Sequence, residues 1–475
     1  MTRITRSNAL RPIWRAAALP DDALAELVFA DPAFAEPTLT GREPVLRSSF
    51  AVGTAAQVSL AAAALAAAQI GVQRNGVRQR VRVDMRRAAL ECAYRFTIDG
   101  RTPELWDRLA GAYRCGDGRW LRPHTNFAHH RDGVLRLLGL PLGPDTPRDL
   151  VAAALRERHA FEFEDAAANV GLVVAAVRTF DEWDAHPQSH AVAVQPLVAI
   201  EKIGDAPPLA WPALPRGARP LHGLRVLDLT RILAGPVGGR TLAAYGADVM
   251  LVNAPHLPNI EAIIDTSRGK LSALADLREP AGRDGLRAVL RGAHVFLQGY
   301  RPGALAALGF APIDLAAVRP GIVVVSLSAY GETGPWAGRR GFDSLVQSAV
   351  GFNDAEAHAA GSAQPQSLPV QILDMASGFL IAFGVQAALL RQQTEGGSWQ
   401  VRVSLARTAQ WLRELGRVEH GFDAPQAEFS GLLETTPSGY GQLTAMRHAA
   451  EFSHTPAGWA RPSMPPGTHP LMWPD

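Results

Sequence analysis

The sequence predicts an α/β protein: an open, parallel, Rossmann-like sheet with helices on both faces, and a smaller α+β domain beside it. Three observations support this prediction. Strand-like and helix-like stretches alternate after residue 220, Leu221–Pro236 joins a buried strand to a helix start through a short turn, and prolines crowd residues 207–220. We therefore expect a linker at 207–220 and the large sheet after it.

The composition is that of a globular protein without a strong charge preference. The chain has 475 residues, which suggests two or three domains, and 47 basic residues stand against 45 acidic ones. We therefore expect neither a nucleic-acid partner nor a membrane partner. The two cysteines, Cys92 and Cys115, are too few for a disulfide framework and lack metal-ligand spacing, so we expect a cytoplasmic protein without a metal. The N-terminus has no apolar stretch typical of a secretory signal.

Residues 1–94 are predicted to form a mainly helical segment. The beginning of this segment mixes helix and loop, with turn residues at Asp31–Pro32. The stretch Ala51–Val72 is long enough to span a bilayer, but alanine dominates it, which predicts a helix buried inside the protein. A turn then leads to a short alternating strand, Arg80–Met85, and to another helix.

The same order of elements returns later in the chain, which predicts an internal repeat. Gln73 matches Gln393 and Gly76 matches Gly396, so the offset is constant at 320 residues. The second copy would place its strand and second helix at the start of residues 401–475.

Residues 95–206 are predicted to form the smaller α+β domain. A hairpin signal at Cys115–Trp120, a helical stretch at 131–140 and a buried strand at 169–174 support it. Three histidines lie near a turn in this domain, and because their spacing fits no known metal set we expect them in a solvated or partly packed loop. They are His124, His129 and His130.

Residues 221–400 are predicted to form the large sheet. Strands are expected at 224–229, 248–252, 294–298 and 322–327, and helices at 236–246, 279–291 and 312–318. Ligands of such sheets gather at the carboxyl ends of the strands, so the loops that follow the first, third and fourth of these strands are the candidate site.

A nicotinamide or flavin cofactor is not expected at this site. The glycines after the first strand stand at Gly235, Gly238 and Gly239, which is not the dinucleotide-binding pattern. The second strand ends in Asn253 where an acid would hold a ribose, and no phosphate-binding loop with a Gly-Lys pair occurs.

Six stretches of this region resemble the class III CoA-transferases, the family that includes formyl-CoA and carnitinyl-CoA transferases and the related acyl-CoA racemases. They are VLDLTRILAGP (226–236), GADVMLV (246–252), SRGKLSALADLREPAGRDGL (267–286), QGYRPGALAALGF (298–310), VVVSLSAYGETGPWAGRRGFDSLVQSAVG (323–351) and LDMASG (373–378). The resemblance implies acyl-CoA metabolism, with CoA moved from an acyl-CoA thioester to a carboxylic acid. It also implies a homodimer, with a self-sufficient chain of two fused units as the alternative.

Residues 95–205 and 438–463 resemble, more weakly, the smaller domain and the returning C-terminal tail of the same family. In the family the large lobe comes first, whereas here the part that resembles the small domain precedes it. The resemblance and the repeat together imply a rearranged fusion of two partial units.

The resemblance places at Asp374 the carboxylate that attacks the thioester, giving a mixed anhydride and then an enzyme–CoA thioester. From the residues alone, Asp374 stands just before an apolar helix, whose N-terminus favours a charged carboxylate. An ordinary N-cap is the alternative role, and both roles can hold together. The matching position in the first copy is Thr54, so we expect that copy to be structural.

The resemblance also implies contacts to CoA at the three candidate loops and at one basic segment. The residues are Arg231, Leu233 and Ala234, then Arg268, Lys270 and Arg278, then Gly299, Tyr300 and Arg301, and finally Tyr330. Arginine suits phosphate oxygens because its guanidinium can bind two of them together. A solvated basic face is the alternative role for the basic segment, and core packing is the alternative for Tyr330.

Two departures from the family bear on the reaction. Phe342 stands where racemases of the family carry a histidine, and phenylalanine cannot transfer protons. No glycine-rich loop of the kind that covers the reacting centre in family transferases is found. A CoA-transferase is therefore the first hypothesis, and a non-catalytic CoA-binding subunit and an acyl-CoA racemase or isomerase are the alternatives.

Overall fold

The described residues, 6–20, 39–211 and 213–474 of a computed structural model, form four sheets. Strands are numbered along the chain. They are β1 (Leu39–Thr40), β2 (Val81–Asp84), β3 (Phe96–Ile98), β4 (Tyr113–Arg114), β5 (Trp120–Pro123), β6 (Val174–Ala176), β7 (Ala199–Gly204), β8 (Arg225–Asp228), β9 (Asp248–Asn253), β10 (Lys270–Leu274), β11 (Val295–Gln298), β12 (Val323–Ser328), β13 (Ser398–Ser404), β14 (Leu433–Ser438), β15 (Gly441–Met446) and β16 (Ala450–Phe452).

The largest sheet has seven strands in the order β10-β9-β8-β11-β12-β13-β7. All neighbours are parallel except β13 and β7, which are antiparallel. Cross-strand neighbours Val226, Val249 and Val295 are buried on one face, and the next residues along, such as Leu227 and Phe296, are buried on the other. Both faces are therefore covered, as parallel sheets require, and the predicted α/β fold class is confirmed.

Helices cover the two faces and connect the parallel strands. They are Arg6–Ala16, Val52–Asn75, Met85–Glu91, Ala128–Leu138, Arg148–Leu155, Ala160–Asn169, Phe180–Asp184, Pro187–Ala193, Ala234–Ala244, Ile263–Thr266, Pro280–Leu290, Pro312–Val318, Asp343–Ala349, Phe352–Ala360, Ile372–Glu395 and Leu405–Glu414.

Two of these helices, Val52–Asn75 and Ile372–Glu395, pack against each other in the core and are called the first and second long helix. The amide Nε2 of Gln386 on the second donates to the carbonyl of Ala63 on the first at 3.0 Å. Both are long and apolar enough to cross a membrane, but their most apolar windows are 89% and 100% buried inside the protein. Burial within the protein therefore accounts for their composition.

A small α+β module lies between the two long helices in the sequence. Strands β4, β5 and β6 form its sheet, and the helices from Ala128 to Asn169 pack on that sheet around Leu121 and Leu155. The predicted limits of 95 and 206 do not coincide with this sheet. Strand β7 joins the large sheet, and β3 pairs with β15 of the C-terminal region.

The remaining strands tie the N-terminal segment to the C-terminal tail. Strand β2 lies between β1 and β16, parallel to the first and antiparallel to the second. The tail then covers the edge strand β10, since the N–H of His469 donates to the carbonyl of Ser272 at 2.8 Å. Strand β10 was not predicted, because its buried residues include the polar Lys270 and Ser272, whereas strands of a parallel sheet are expected to be apolar runs. The turn predicted at Asp31–Pro32 lies outside the described residues.

Candidate active site

The loop after β8 is held in a strained conformation at the carboxyl edge of the large sheet. Its second residue, Thr230, donates its backbone N–H to the Asp228 carboxylate at 2.9 Å. Ile232 then adopts a left-handed backbone with φ of 76°, which a β-branched residue rarely does. Strain of this kind, on the order of 1–3 kcal/mol, is typical of functional sites.

Glycines bring this loop close to the second long helix. A Cβ on Gly378 would lie 2.6 Å from the carbonyl oxygen of Ala234, and one on Gly238 would lie 3.1 Å from the carbonyl of Gly378. The helix Ala234–Ala244 and the second long helix therefore touch backbone to backbone, and Asp374, one turn before Gly378, comes next to the β8 loop.

Asp374 lies in the first turn of the second long helix, and only 8% of the residue is exposed. Its backbone N–H donates to the carboxylate of Asp343 at 2.8 Å. Burial raises the pKa of Asp343 to about 7, although hydrogen bonds from Asp374, Gln347 and Leu373 oppose the change. Burial, followed by the charge of Asp343, raises the pKa of Asp374 well above its usual range.

Two expectations for Asp374 need correction. The residue before the helix is Gln371, so Asp374 is not the N-cap, and the carboxylate that accepts from the helix N-terminus is that of Asp343. The helix N-terminus also does not decide the charge of Asp374, because desolvation and a second carboxylate outweigh it.

Two residues from the N-terminal half face this pair of carboxylates, and no motif in the sequence pointed to either. Tyr94 has a left-handed backbone with φ of 34°, and burial, followed by the charges of Asp374 and Asp343, raises the pKa of its phenol. Its hydroxyl has no hydrogen-bond partner among the described residues. Arg122 on β5 lies close enough to Asp343 for its charge to lower the pKa of that carboxyl.

The histidines of the small module lie at the same place, and two of them are buried more deeply than the solvated or partly packed loop expected from the sequence. His124 and His130 are 6% and 3% exposed, and their Nδ1 atoms are 3.1 Å apart. The His124 ring stacks on Phe342 with centroids 3.9 Å apart, so it packs directly before Asp343. His129 remains exposed. The sequence pattern shows that these side chains are polar, but it does not show which other element packs over them. It therefore could not predict that they are buried.

The residues predicted in the β8 loop differ in their surroundings. Leu233 and Ala234 are buried at the start of the helix Ala234–Ala244. The Arg231 guanidinium donates a hydrogen bond to the carbonyl oxygen of Pro258. It also interacts electrostatically with Tyr300, which lies in the neighbouring loop after β11. Burial lowers the pKa of Arg231.

Arg268 and Lys270 are internal counter-ions, so the prediction that they meet CoA phosphates is wrong. The Lys270 ammonium is fully buried and lies 2.9 Å from the Asp228 carboxylate. The Arg268 guanidinium is buried against Asp265 at 2.5 Å and stacks on the Trp459 ring at 3.7 Å. A phosphate could reach neither without displacing a buried ion pair.

The other predicted CoA residues are accessible or line a cavity. Arg278 is exposed and pairs with Asp276 at 2.6 Å. Gly299 and Arg301 are exposed and Tyr300 is half-buried. A Cβ on Gly299 would lie 3.9 Å from Thr230, which places the β8 and β11 loops side by side.

A cavity of about 950 Å³ opens between the loops that follow β11 and β12 and the small module. Tyr330, Arg301 and Arg340 line it from the sheet, and the helix Ala160–Asn169 lines it from the module. Tyr330 is buried, and its ring centroid lies 5.0 Å from that of Trp336. Tyr330 therefore packs in the core and also forms part of the cavity wall. Asp374 does not line the cavity, but Arg340 stands three residues before Asp343.

Within the described residues no group of three or more histidine, cysteine, aspartate or glutamate side chains could hold a metal ion. The site offers a pair of carboxylates, nearby imidazoles and cations, and a cavity.

Residues 221–420 match the family described as CoA-transferase family III, so the resemblance noted in the sequence is confirmed over that region. The chain is 31% identical to an acyl-CoA transferase of Gibberella moniliformis, over 63% of this chain and 55% of that protein. It is 33% identical to a probable fatty acyl-CoA transferase of Mycobacterium tuberculosis, over 41% of this chain and 53% of that protein. The chain thus spans about half the length of the curated relatives it matches.

A crystal structure of a variant of the same mycobacterial protein is 34% identical to this chain. The match covers 42% of this chain and 56% of the mycobacterial chain, with a TM-score of 0.39.

Proposed function

We propose, on the premise that residues 221–420 belong to CoA-transferase family III, that the protein moves CoA from an acyl-CoA thioester to a carboxylic acid with Asp374 as the nucleophile. One observation carries the proposal. The Asp374 carboxylate is buried in the first turn of a helix, is fixed through its backbone by Asp343, and lies beside a strained loop at the carboxyl edge of the sheet. Ligands of parallel sheets gather at that edge.

The reaction would proceed by exchange at the Asp374 carbonyl. A carboxylate oxygen of Asp374 attacks the thioester carbon, the C–S bond breaks, and CoA leaves as the thiolate. The product on the enzyme is a mixed anhydride of Asp374 and the acyl group. The thiolate then attacks the aspartyl carbon and releases the acyl group as a carboxylate, which leaves an aspartyl–CoA thioester. The acceptor carboxylate repeats the two steps in reverse and regenerates Asp374.

The surroundings of Asp374 support a nucleophilic role. A desolvated carboxylate is less stable than one in water, so it gains more when it forms a covalent bond to the acyl carbon. The charge of Asp374 is, after burial, a cause of the raised pKa of the Tyr94 phenol, so the phenol lies near the carboxylate and stays neutral. A neutral phenol can donate a hydrogen bond to the oxyanion that forms there.

We infer that CoA lies along the carboxyl edge of the sheet. Leu233 and Ala234 would contact it near the thioester, and Gly299, Tyr300 and Arg301 with Tyr330 would contact it along the cavity. Arg278 is accessible enough to meet a phosphate if it exchanges its Asp276 partner.

An acyl-CoA racemase or isomerase is the second candidate, and one observation favours it. The His124 imidazole stacks on Phe342, so an acid–base group lies beside the position where family racemases carry their histidine. Incorporation of deuterium from solvent at the α-carbon of an acyl-CoA would support this activity, and the transferase predicts none.

We also infer that the two long helices belong to copies of one unit. Each has 24 residues, and they begin at Val52 and Ile372, 320 positions apart. Strand β2 has a parallel neighbour, β1, on one side and an antiparallel neighbour, β16, on the other. Strand β13 is placed in the same way, with β12 parallel to it and β7 antiparallel to it. The N–H of Thr54 donates to the Glu43 carboxylate at 2.7 Å, as that of Asp374 donates to Asp343. The first copy thus keeps the supporting acid and lacks the nucleophile.

The experiment compares Asp374→Ala with Asp354→Ala. Asp354 is a matched control because it also occupies the third position of a helix, Phe352–Ala360, outside the proposed site. We expect Asp374→Ala to lose CoA exchange by roughly 10³-fold or more while still binding CoA, and Asp354→Ala to retain exchange. Hydroxylamine should trap an acyl or CoA adduct at Asp374 of the wild type.

Normal exchange by Asp374→Ala would refute the mechanism. Binding of CoA by the wild type without any adduct or exchange, across a panel of acyl-CoA donors, would favour the non-catalytic CoA-binding subunit.

A further inference from the structure

A pair of buried histidines links the small module to the residue that precedes Asp343. His124 follows strand β5 and His130 lies on the helix Ala128–Leu138, and they are 6% and 3% exposed. Their Nδ1 atoms lie 3.1 Å apart. The His124 ring also stacks on the Phe342 ring, with the centroids 3.9 Å apart and the planes inclined by 16°. The module therefore contacts the candidate active site through one imidazole that is held by another.

The distance between the two rings limits the protons that the pair can hold. A hydrogen bond needs one donor and one acceptor, so one Nδ1 carries a hydrogen and the other does not. At least one ring is therefore neutral. Burial lowers the pKa of His124 well below its usual range and the pKa of His130 to about 3. Both rings are thus uncharged around neutral pH.

The charged groups around the pair also disfavour a proton on either ring. They come from strand β5, the module helix, the β8 loop and the loop before Phe342. They are Arg122, His129, Arg231 and Arg340, and each lowers the pKa of at least one of the two histidines. Because the pair stays neutral, its hydrogen bond persists and the His124 ring keeps one orientation.

Burying two imidazoles at this place costs free energy that a simpler side chain would not. A buried imidazole loses its hydrogen bonds to water, and the Nε2 of His130 has no partner in the part of the chain that the structure describes. A phenylalanine ring would fill a similar volume without this loss. What the histidines add is the contact between their Nδ1 atoms, which fixes the His124 ring against Phe342.

The fixed ring lies one residue from the carboxylate that supports Asp374. Phe342 directly precedes Asp343, the first residue of the helix Asp343–Ala349. The Asp343 carboxylate accepts the N–H of Asp374 at 2.8 Å and the side-chain amide of Gln347 at 2.5 Å. A shift of Phe342 would therefore move the start of this helix, and with it the acceptor of the Asp374 N–H.

We propose that His124 and His130 are positioning residues of the candidate active site. Their hydrogen bond holds Phe342 in place, and through Phe342 it holds the Asp343 carboxylate against the backbone of Asp374. In this role neither histidine exchanges a proton with the substrate. The inference rests on the proposed function, because it concerns the placement of the proposed nucleophile.

Hydrogen–deuterium exchange of the Asp374 amide measures this placement without turnover. The amide donates to the Asp343 carboxylate, so its protection depends on the position of that carboxylate. We expect exchange to be about tenfold faster in His130→Phe, which fills the space but loses one buried hydrogen bond. His130→Asn places an amide atom close to the former Nδ1, so its exchange should stay near that of the wild type.

CoA exchange should follow the same order. We expect kcat to fall about tenfold or more in His130→Phe with an unchanged KM for the acyl-CoA, because the nucleophile is misplaced while the CoA site is intact. His130→Asn should restore most of kcat. His358→Phe is the matched control, because His358 is 79% exposed beside Asp354 on another helix, and it should match the wild type in both measurements.

Phe342→Leu provides a second test if His130→Phe fails to fold. It removes the stacking partner of His124, so it should also accelerate exchange of the Asp374 amide. An unchanged amide in either folded variant would overturn the proposal. Equal acceleration in His130→Phe and His130→Asn would also overturn it, because the pair would then act by packing alone.

Two outcomes separate this proposal from the functions proposed above. If the wild type takes up solvent deuterium at the α-carbon of an acyl-CoA and His130→Asn does not, the pair transfers protons and the positioning role is wrong. If the Asp374 amide responds as expected but the wild type never transfers CoA, the result counts against the proposed function alone.

Discussion

Asp374 must be ionised to attack a thioester, and its neighbour Asp343 opposes that charge. The two carboxylates are linked through the Asp374 backbone, and both are buried. Two acids in such a site share a proton over part of the pH range, so they lose their protons in two coupled steps. The transferase rate should therefore rise with pH as the pair becomes fully ionised.

Asp343→Asn should move the acid limb of kcat/KM to lower pH. The asparagine oxygen can still accept the Asp374 N–H, but the like charge that raises the pKa of Asp374 is gone. The wild type should lose stability as pH rises, because the buried Asp343 ionises, and Asp343→Asn should lose less. A carboxyl whose folded pKa is raised, here from 3.8 to about 7, stabilises the fold below the lower value and loses that contribution as pH rises through the higher one.

The measurements are pH profiles of CoA exchange and thermal unfolding at several pH values. Asp314→Asn is the control, since it removes a carboxylate that is exposed at the helix Pro312–Val318 and should leave the limb in place. If the acid limb of the kcat/KM profile is unchanged or moves to higher pH in Asp343→Asn, then Asp343 does not oppose the charge of Asp374.

At the scale of elements, the site depends on how closely two helices approach. The first turn of the second long helix and the β8 loop meet only because Gly378 and Gly238 leave no side chains between them. The small module then closes the site from the other side through His124 and Phe127, which contact Phe342. The proposed nucleophile is thus positioned by helix packing.

Gly378→Ala should destabilise the protein and impair exchange together. The new methyl would lie 2.6 Å from the Ala234 carbonyl oxygen and 2.7 Å from Val237 Cγ1, so the helices must separate. Overpacking of this kind costs about 1–3 kcal/mol of unfolding free energy, measurable by denaturant titration. In Gly458→Ala the added methyl meets nothing within 4 Å, and its stability should match the wild type. An unchanged unfolding midpoint in Gly378→Ala would mean that the close approach is not required.

Across the whole molecule, a buried charge network joins the N-terminal segment, the region of the large sheet and the C-terminal tail. Glu91 of the helix Met85–Glu91 contacts Arg240 at 3.2 Å and the Nδ1 of His448 at 3.1 Å. Arg240 continues the network to Asp265. Tyr94 follows three residues after Glu91 and donates its N–H to the Glu91 carbonyl, so the network also fixes the tyrosine that faces Asp374.

Glu91→Gln should weaken the fold at neutral pH and flatten its acid sensitivity. Burial alone would raise the pKa of Glu91, but His448, Arg240 and the Ala449 N–H lower it from 4.5 to about 2. A carboxyl with a depressed folded pKa stabilises the protein above its unfolded value and loses that contribution as pH falls, here between 4.5 and 2. The contribution is roughly 3 kcal/mol at neutral pH.

Chemical unfolding between pH 2 and 7 would measure this effect. Glu428→Gln is the matched control, because Glu428 pairs with Arg86 on the same helix but is 72% exposed, and surface pairs contribute little. If Glu91→Gln and Glu428→Gln lost equal stability, the network would not be what joins the three parts.

Local sequence patterns were enough to predict the alternation that builds the parallel sheet and the loops at its carboxyl edge, and the family resemblance pointed to Asp374. Short apolar runs form β8, β9, β11 and β12, and glycines mark where backbones meet. Which polar side chains lie together at the candidate site became visible only in the folded chain. Lys270 and Arg268 looked free and are counter-ions of Asp228 and Asp265, whereas His130 and Tyr94 looked ordinary and face the site. The reason is that a charge or a hydrogen-bond donor is defined by partners that are distant in sequence, and these meet only when the chain packs.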